Sequence, residues 1–169
     1  MAELYRYTGK PGGKDAIAEC RSGIEACAGT PEEGLGRMLL ADLLAEQDQS
    51  EEAFSEFERV LEEHPGQPYS NYARIRYTLA LEDKGRCDRA LEVIAPVLDD
   101  PIWGGRAHYA RGKAYGGQQN MEAAITDFLV AARTADSVYI RGEAYAELAY
   151  IYERKGNFER AQEYLTLLR

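Results

Sequence analysis

Long apolar runs are missing from this chain. No stretch approaches the ~18 apolar residues that a membrane-spanning helix needs, and the opening Met1-Ala2-Glu3-Leu4-Tyr5-Arg6 lacks the hydrophobic segment of a secretory leader. A cytoplasmic protein is expected. Cysteine is scarce: Cys20, Cys27 and Cys87 are odd in number and at no metal-ligand spacing, with only His64 and His108 available to complete a site. Free buried or half-buried thiols are therefore expected, and no metal. No segment alternates apolar and polar residues between hairpin turns, so no sheet is expected. Gly112-Lys113 and Gly104-Gly105-Arg106 lack the glycine spacing and strand-to-helix context of a phosphate loop. With no nucleophile and base, carboxylate pair or metal cluster in view, neither an enzyme nor a cofactor is expected. Cations are in deficit too, 20 Lys and Arg against 29 Asp and Glu, for a net charge of −9. That field repels polyanions and sets nucleic acids and anionic membranes aside as partners.

What the chain does have is apolar content, 45% of its residues, enough for a packed core, and a repeat. A small residue within an amphipathic run recurs at Ala16, Ala53, Ala90, Ala124 and Ala161, at intervals of 37, 37, 34 and 37 residues. Around the last four the same pattern returns: Leu44…Ala53…Phe57, Leu81…Ala90…Ile94, Tyr115…Ala124…Phe128 and Tyr152…Ala161…Leu165. Polar turns fall ahead of each alanine, at Asp48-Gln49-Ser50, Lys84-Gly85, Gly116-Gly117 with Asn120, and Lys155-Gly156-Asn157. Gly85 and Gly156 suit the positive φ that closes a helix, and Asn120 and Asn157 suit the cap of the next. Thr30-Pro31-Glu32-Glu33 reads as a capping box with Pro in the first turn, and Pro68 and Pro101 have the same role.

The spacing predicts helices over 15–28, 32–47, 50–63, 69–84, 87–98, 101–116, 121–134, 138–155 and 158–169. They form pairs, and one pair alone cannot bury both sides of its apolar stripe. Stacking follows, so the expected fold is an all-α, right-handed α-solenoid of antiparallel helix pairs. It forms one domain, with a partial unit at 1–33 and full repeats at 34–67, 68–104, 105–138 and 139–169.

With Leu40, Ala41 and Leu44 before Ala53 and Phe57, Gly112 and Tyr115 before Ala124 and Phe128, and Leu148, Ala149 and Tyr152 before Ala161, the chain resembles the tetratricopeptide repeat family. Arg37 and His108 stand in the slot where that family often has Trp, and His108 reads as a buried or half-buried packing histidine. His64, just before Pro65, reads as solvent-exposed. The first unit fits only in part, with Tyr7 ahead of the turn Gly9-Lys10-Pro11-Gly12-Gly13. Ala41, Thr78, Gly112 and Ala149 are the small residues that let helices cross closely.

The resemblance implies a protein-binding scaffold whose first helices line a concave groove. By helical spacing, the candidate groove residues are Met38, Tyr72, Ile75, Arg76, Leu79, Arg106, Tyr109, Lys113 and Tyr150. That set suits a peptide or partner helix with an apolar anchor and an acidic or C-terminal carboxylate, which Arg106 would bind with both prongs. Relatives that dock heat-shock chaperone tails use a clamp of Lys and Asn. The matching places here hold Met38, Asp42, Arg76, Arg106 and Ala110, and only Arg106 fits, which disfavours that clamp. The small acidic chaperones of bacterial secretion systems share the length, charge and repeat count. The chain ends at Leu165-Thr166-Leu167-Leu168-Arg169 with no polar capping helix. A structural, self-assembling module, or a fragment of a longer array, is the alternative reading, with a homo-oligomer formed through the C-terminal helix.

Overall fold

A computed structural model of the chain describes residues 14–168. The Tyr7 segment and the Gly9–Gly13 turn of the expected partial unit lie outside the described residues, as does Arg169. Among the described residues there are nine α-helices and no strand: α1 Lys14–Ala26, α2 Pro31–Glu46, α3 Ser50–Glu63, α4 Ser70–Asp83, α5 Cys87–Ile94, α6 Gly104–Gly117, α7 Met121–Thr134, α8 Val138–Arg154 and α9 Phe158–Thr166. The chain divides into two compact units, Met1–Arg76 and Tyr77–Arg169, with the boundary inside α4.

In the first unit α2 packs on both α1 and α3. Ile17 and Ile24 of α1 meet Leu40 and Leu44 of α2, with Ala53 of α3 beneath them. On α3 the buried residues Ala53, Phe54, Phe57 and Val60 recur at helical spacing, which leaves Glu51, Glu52 and Glu62 in water. In the second unit α5 packs on α6, α6 on α7, α7 on α8 and α8 on α9. Its core joins Tyr109, Ala124, Phe128, Ala144, Leu148 and Ile151. All five repeat alanines are buried, from 0% to 7% exposed, as steric crowding at helix crossings requires. Gly112 is the tightest of the small positions, because a Cβ there would lie 2.7 Å from the Phe128 ring.

The four turns that join first to second helices share one backbone. Asp48, Gly85, Gln119 and Gly156 hold φ of 63°, 71°, 62° and 74°. The next residue's N–H then reaches back to the helix it closes: Gln49 to Leu44, Arg86 to Leu81, Asn120 to Tyr115 and Asn157 to Tyr152, at 2.8–2.9 Å. Asn120 and Asn157 cap α7 and α9 through their side chains. Gly116-Gly117, read as a turn, is instead the last turn of α6, and Gln119 takes the positive φ.

Other boundaries moved for local reasons. Pro96 has no N–H to continue α5, so the predicted 87–98 helix ends at Ile94 and closes in a 3-10 turn over Ala95–Val97. Asp100 accepts from the N–H groups of Ile102 and Trp103 at 2.8 and 2.7 Å, which holds Pro101–Trp103 as a turn and delays α6 to Gly104. The capping box at Thr30 is rearranged: the Glu33 carboxylate accepts from Gly29 N–H at 2.7 Å, while the Thr30 hydroxyl donates to the Cys27 carbonyl. His64 is packed rather than solvated, its ring 6.3 Å from that of Tyr69 and its Nε2 buried. The cysteines are free, Cys87 buried and the others half-buried, and burial pushes the Cys20 and Cys87 thiols upward.

Candidate binding surface

Three of the repeats, the first, third and fourth, tie their two helices together at one register: sixteen residues before the repeat alanine and three after it. In the first full repeat this pair is Arg37 and Glu56, 2.9 Å apart, with Glu33 also bound to Arg37. In the third it is His108 and Asp127, with Nδ1 2.7 Å from the carboxylate. In the fourth it is Tyr145 and Tyr164, stacked at 6.2 Å. Asp127 is 1% exposed and also accepts two bonds from Arg111, at 2.7 and 2.6 Å. Its oxygens are thus engaged in holding α6 to α7. Sequence reading missed Asp127, although a carboxylate one place before Phe128 on a buried stripe is the signal that would have found it.

The predicted groove residues separate into four groups. Met38, Ile75 and Tyr109, at one repeat register, are 1%, 5% and 9% exposed and are not surface side chains. Helical spacing gives their angle on their own helix, but not that a neighbouring element covers that angle. Tyr109 packs its ring 5.8 Å from Phe128, and burial, reinforced by Glu147 and Glu143, drives its phenol far above the ordinary range.

The second group is the cations, and each has an internal partner. Arg76 Nε donates to Asp42 at 2.8 Å; burial lifts the Asp42 carboxyl even beside that guanidinium. Arg106 donates to both oxygens of Asp136 at 3.0 and 3.4 Å and lies over the Trp103 ring; its bonds hold Asp136 below the ordinary carboxylate value. Lys113 donates to Glu147 at 3.1 Å, and Glu82 and Glu143 add to the negative field around it. Burial raises the Glu82 carboxyl, which Lys113 opposes. The expected receptor for a ligand carboxylate is therefore occupied by the protein's own carboxylates. Leu79 is half-buried against the Tyr109 cluster, and Tyr72 is half-buried on α4.

Tyr150, the last of the set, is 52% exposed and lies elsewhere. It lines an open groove between α8 and α9 with Ala146, Ala149, Phe158, Ala161 and Leu165. Phe158 and Leu165 are 68% and 45% exposed, and Leu167 and Leu168 are exposed beside them. Among the described residues no group of His, Cys, Asp and Glu could hold a metal, and no helix is long and apolar enough to cross a membrane.

Residues 7–142 match the family model of a tetratricopeptide repeat-like domain, and residues 142–168 match a tetratricopeptide repeat. No curated protein matches the chain. Among solved structures it is similar to MamA 41-end from Desulfovibrio magneticus RS-1 and to a MamA RS-1 ArsTM double mutant. Each is 21% identical with a TM-score of 0.65, covering 93% of this chain and 94% of that one. At that identity the likeness concerns fold, and it agrees with an all-α fold of the α-solenoid class.

Proposed function

Because the chain belongs to the tetratricopeptide repeat-like family, we propose that it is a protein-interaction scaffold that binds a peptide or partner helix along the first helices of its second unit. The observation that carries this reading is the charge left on that face. Glu82, Glu143 and Glu147 surround the one ammonium of Lys113, so three carboxylates face one cation, beside the half-buried Leu79. Such a face favours a ligand with apolar anchors and basic side chains. This reverses the acidic ligand expected from the sequence, since Arg76, Arg106 and Lys113 would each have to leave a bonded carboxylate.

Panning a randomised peptide library on the immobilised full chain tests the proposal. Selected sequences should be enriched in Lys or Arg next to large apolar residues, and the Glu82→Lys, Glu147→Lys double variant should lose that enrichment. Selection indifferent to the reversal would defeat it. A second reading, contact through the end of the chain, is favoured by the exposed Tyr150, Phe158, Leu165, Leu167 and Leu168.

A further inference from the structure

Tyr109 brings a polar group to the first-helix face of the second unit and leaves it unused. Its ring packs on Phe128 and the residue is only 9% exposed. Among the described residues its hydroxyl has no hydrogen-bond partner, and it is not sealed from solvent. The groups whose charge acts on that hydroxyl are Glu147 and Glu143, then Tyr139 and Glu82. Glu143 and Glu82 are half-buried, and among the described residues neither makes a hydrogen bond or an ion pair. Of the three carboxylates only Glu147 is paired, with Lys113. A nine-tenths buried phenol thus points its free oxygen at carboxylates that lack a cation.

The same unit shows twice which cation fills such a place. Arg106 Cζ is 5.2 Å from the centre of the Trp103 ring, and the guanidinium donates to both oxygens of Asp136. Arg111 Cζ is 5.8 Å from the centre of the Tyr115 ring, and its guanidinium donates to both oxygens of Asp127. A ring and a carboxylate side by side therefore receive an arginine, because a planar guanidinium stacks on an aromatic face and makes a forked bond at once, which an ammonium does not. Tyr139 and Glu143 are the same two groups, one turn apart on α8. Tyr139 is 70% exposed, and among the described residues no arginine is bonded to either.

We propose that Tyr139, Glu143 and the Tyr109 hydroxyl form a subsite for one arginine side chain of the partner, its guanidinium lying on the Tyr139 ring with the fork on Glu143. The Tyr109 oxygen accepts a further N–H, and Glu82 adds the negative field that draws the cation in. The inference rests on the basic-ligand reading of this face and narrows it from any cation to arginine. A second copy of the chain is a poor source of that arginine. It carries a net charge of −9, and its Arg21, Arg37, Arg76, Arg106 and Arg111 are each already bonded to a carboxylate. The subsite is also distinct from the α8–α9 groove, which α8 lines with Ala146, Ala149 and Tyr150, whereas Glu143 acts on Tyr109 and Lys113 of α6.

The probes are N-acetyl-arginine amide and N-acetyl-lysine amide, titrated by NMR into the full chain with isotope-labelled tyrosine rings. The Tyr139 and Tyr109 resonances, assigned through Tyr139→Leu and Tyr109→Phe, should shift saturably with the arginine probe at millimolar Kd, and the lysine probe should bind about threefold more weakly. Glu143→Gln should weaken the arginine probe about fivefold. Tyr139→Leu, read at Tyr109, should bring the two probes level. Tyr109→Phe, read at Tyr139, should weaken the arginine probe about threefold. Glu159→Gln, which alters an exposed carboxylate on α9, should leave it unchanged. Equal binding of the two probes to the parent chain, or a Glu159→Gln effect as large as that of Glu143→Gln, overturns the proposal, because the field of the whole protein then accounts for the binding. A dimer in sedimentation that Glu143→Gln dissolves also overturns it, since a second copy then fills the place. Failure of the arginine probe beside panning sequences rich in lysine sinks this inference and leaves the basic-ligand reading standing; failure of both sinks both.

Discussion

At the scale of single residues, the buried carboxylate of Asp127 holds two basic partners on the facing helix. Its partners His108 and Arg111 are 18% and 26% exposed in their side chains, so removing it leaves half-buried donors without their acceptor. Asp127→Ala is expected to lower stability by about 3 kcal/mol, read as a shift of the urea midpoint. Glu56→Ala, at the same register, should cost only about 1 kcal/mol, because Arg37 keeps its bond to Glu33. Glu82 makes an opposite prediction. Burial raises its carboxyl above the ordinary 4.5, so the folded state binds its proton more tightly than the unfolded state does. That lowers stability as pH rises from about 4.5 through the folded value. Glu82→Gln should therefore raise the urea midpoint at pH 7, with the advantage fading below pH 4. These electrostatic roles were poorly legible in the sequence, because each partner lies far along the chain: Asp42 is 34 residues from Arg76, Glu147 34 from Lys113 and Asp136 30 from Arg106. The two separations of 34 equal one repeat, so aligning charges on successive first helices would have exposed the Asp42–Arg76 and Lys113–Glu147 pairs, whereas Asp136 lies in the link before α8.

Helices and turns were far more legible, since local chemistry decides them. The asparagine caps at α7 and α9 and the left-handed Gly85 and Gly156 follow from side chains in the turn itself. Gly116-Gly117 misled because glycine permits a turn without requiring one, and the chain closes two residues later at Gln119, with φ of 62°. A side chain in that region costs roughly 1–2 kcal/mol, which glycine avoids. Gln119→Gly should accordingly raise stability, by about 0.5–1 kcal/mol after the unfolded chain's added freedom is counted. Gly156→Ala should lower it by about 1 kcal/mol at the equivalent turn. Thermal melts of the two variants beside the parent chain check both signs. Pro96 shows the converse: its missing N–H is readable in the sequence, yet the amphipathic pattern continues to Val97 and Leu98, so periodicity alone carries the helix too far.

For the whole molecule, repetition makes residues equivalent in sequence, while position along the chain makes them unequal in energy. Phe128 and Leu165 occupy one register of the repeat, as do Met121 and Phe158. Yet Phe128 is closed off by α8, while Phe158 and Leu165 border an open groove. A repeat pattern read from sequence gives both phenylalanines and the leucine the same apolar role and cannot say which lacks a neighbour. Energetics separates them: Phe128→Ala should cost about 3–5 kcal/mol, because it empties a packed site, whereas Phe158→Gln should change stability by no more than about 0.5 kcal/mol. The same Phe158→Gln change should reduce binding of an apolar-surface dye such as ANS, since it removes an aromatic side chain that is 68% exposed. If Phe158→Gln instead destabilises the chain as strongly as Phe128→Ala, the α8–α9 face is already covered and its openness is not a property of the folded protein in solution.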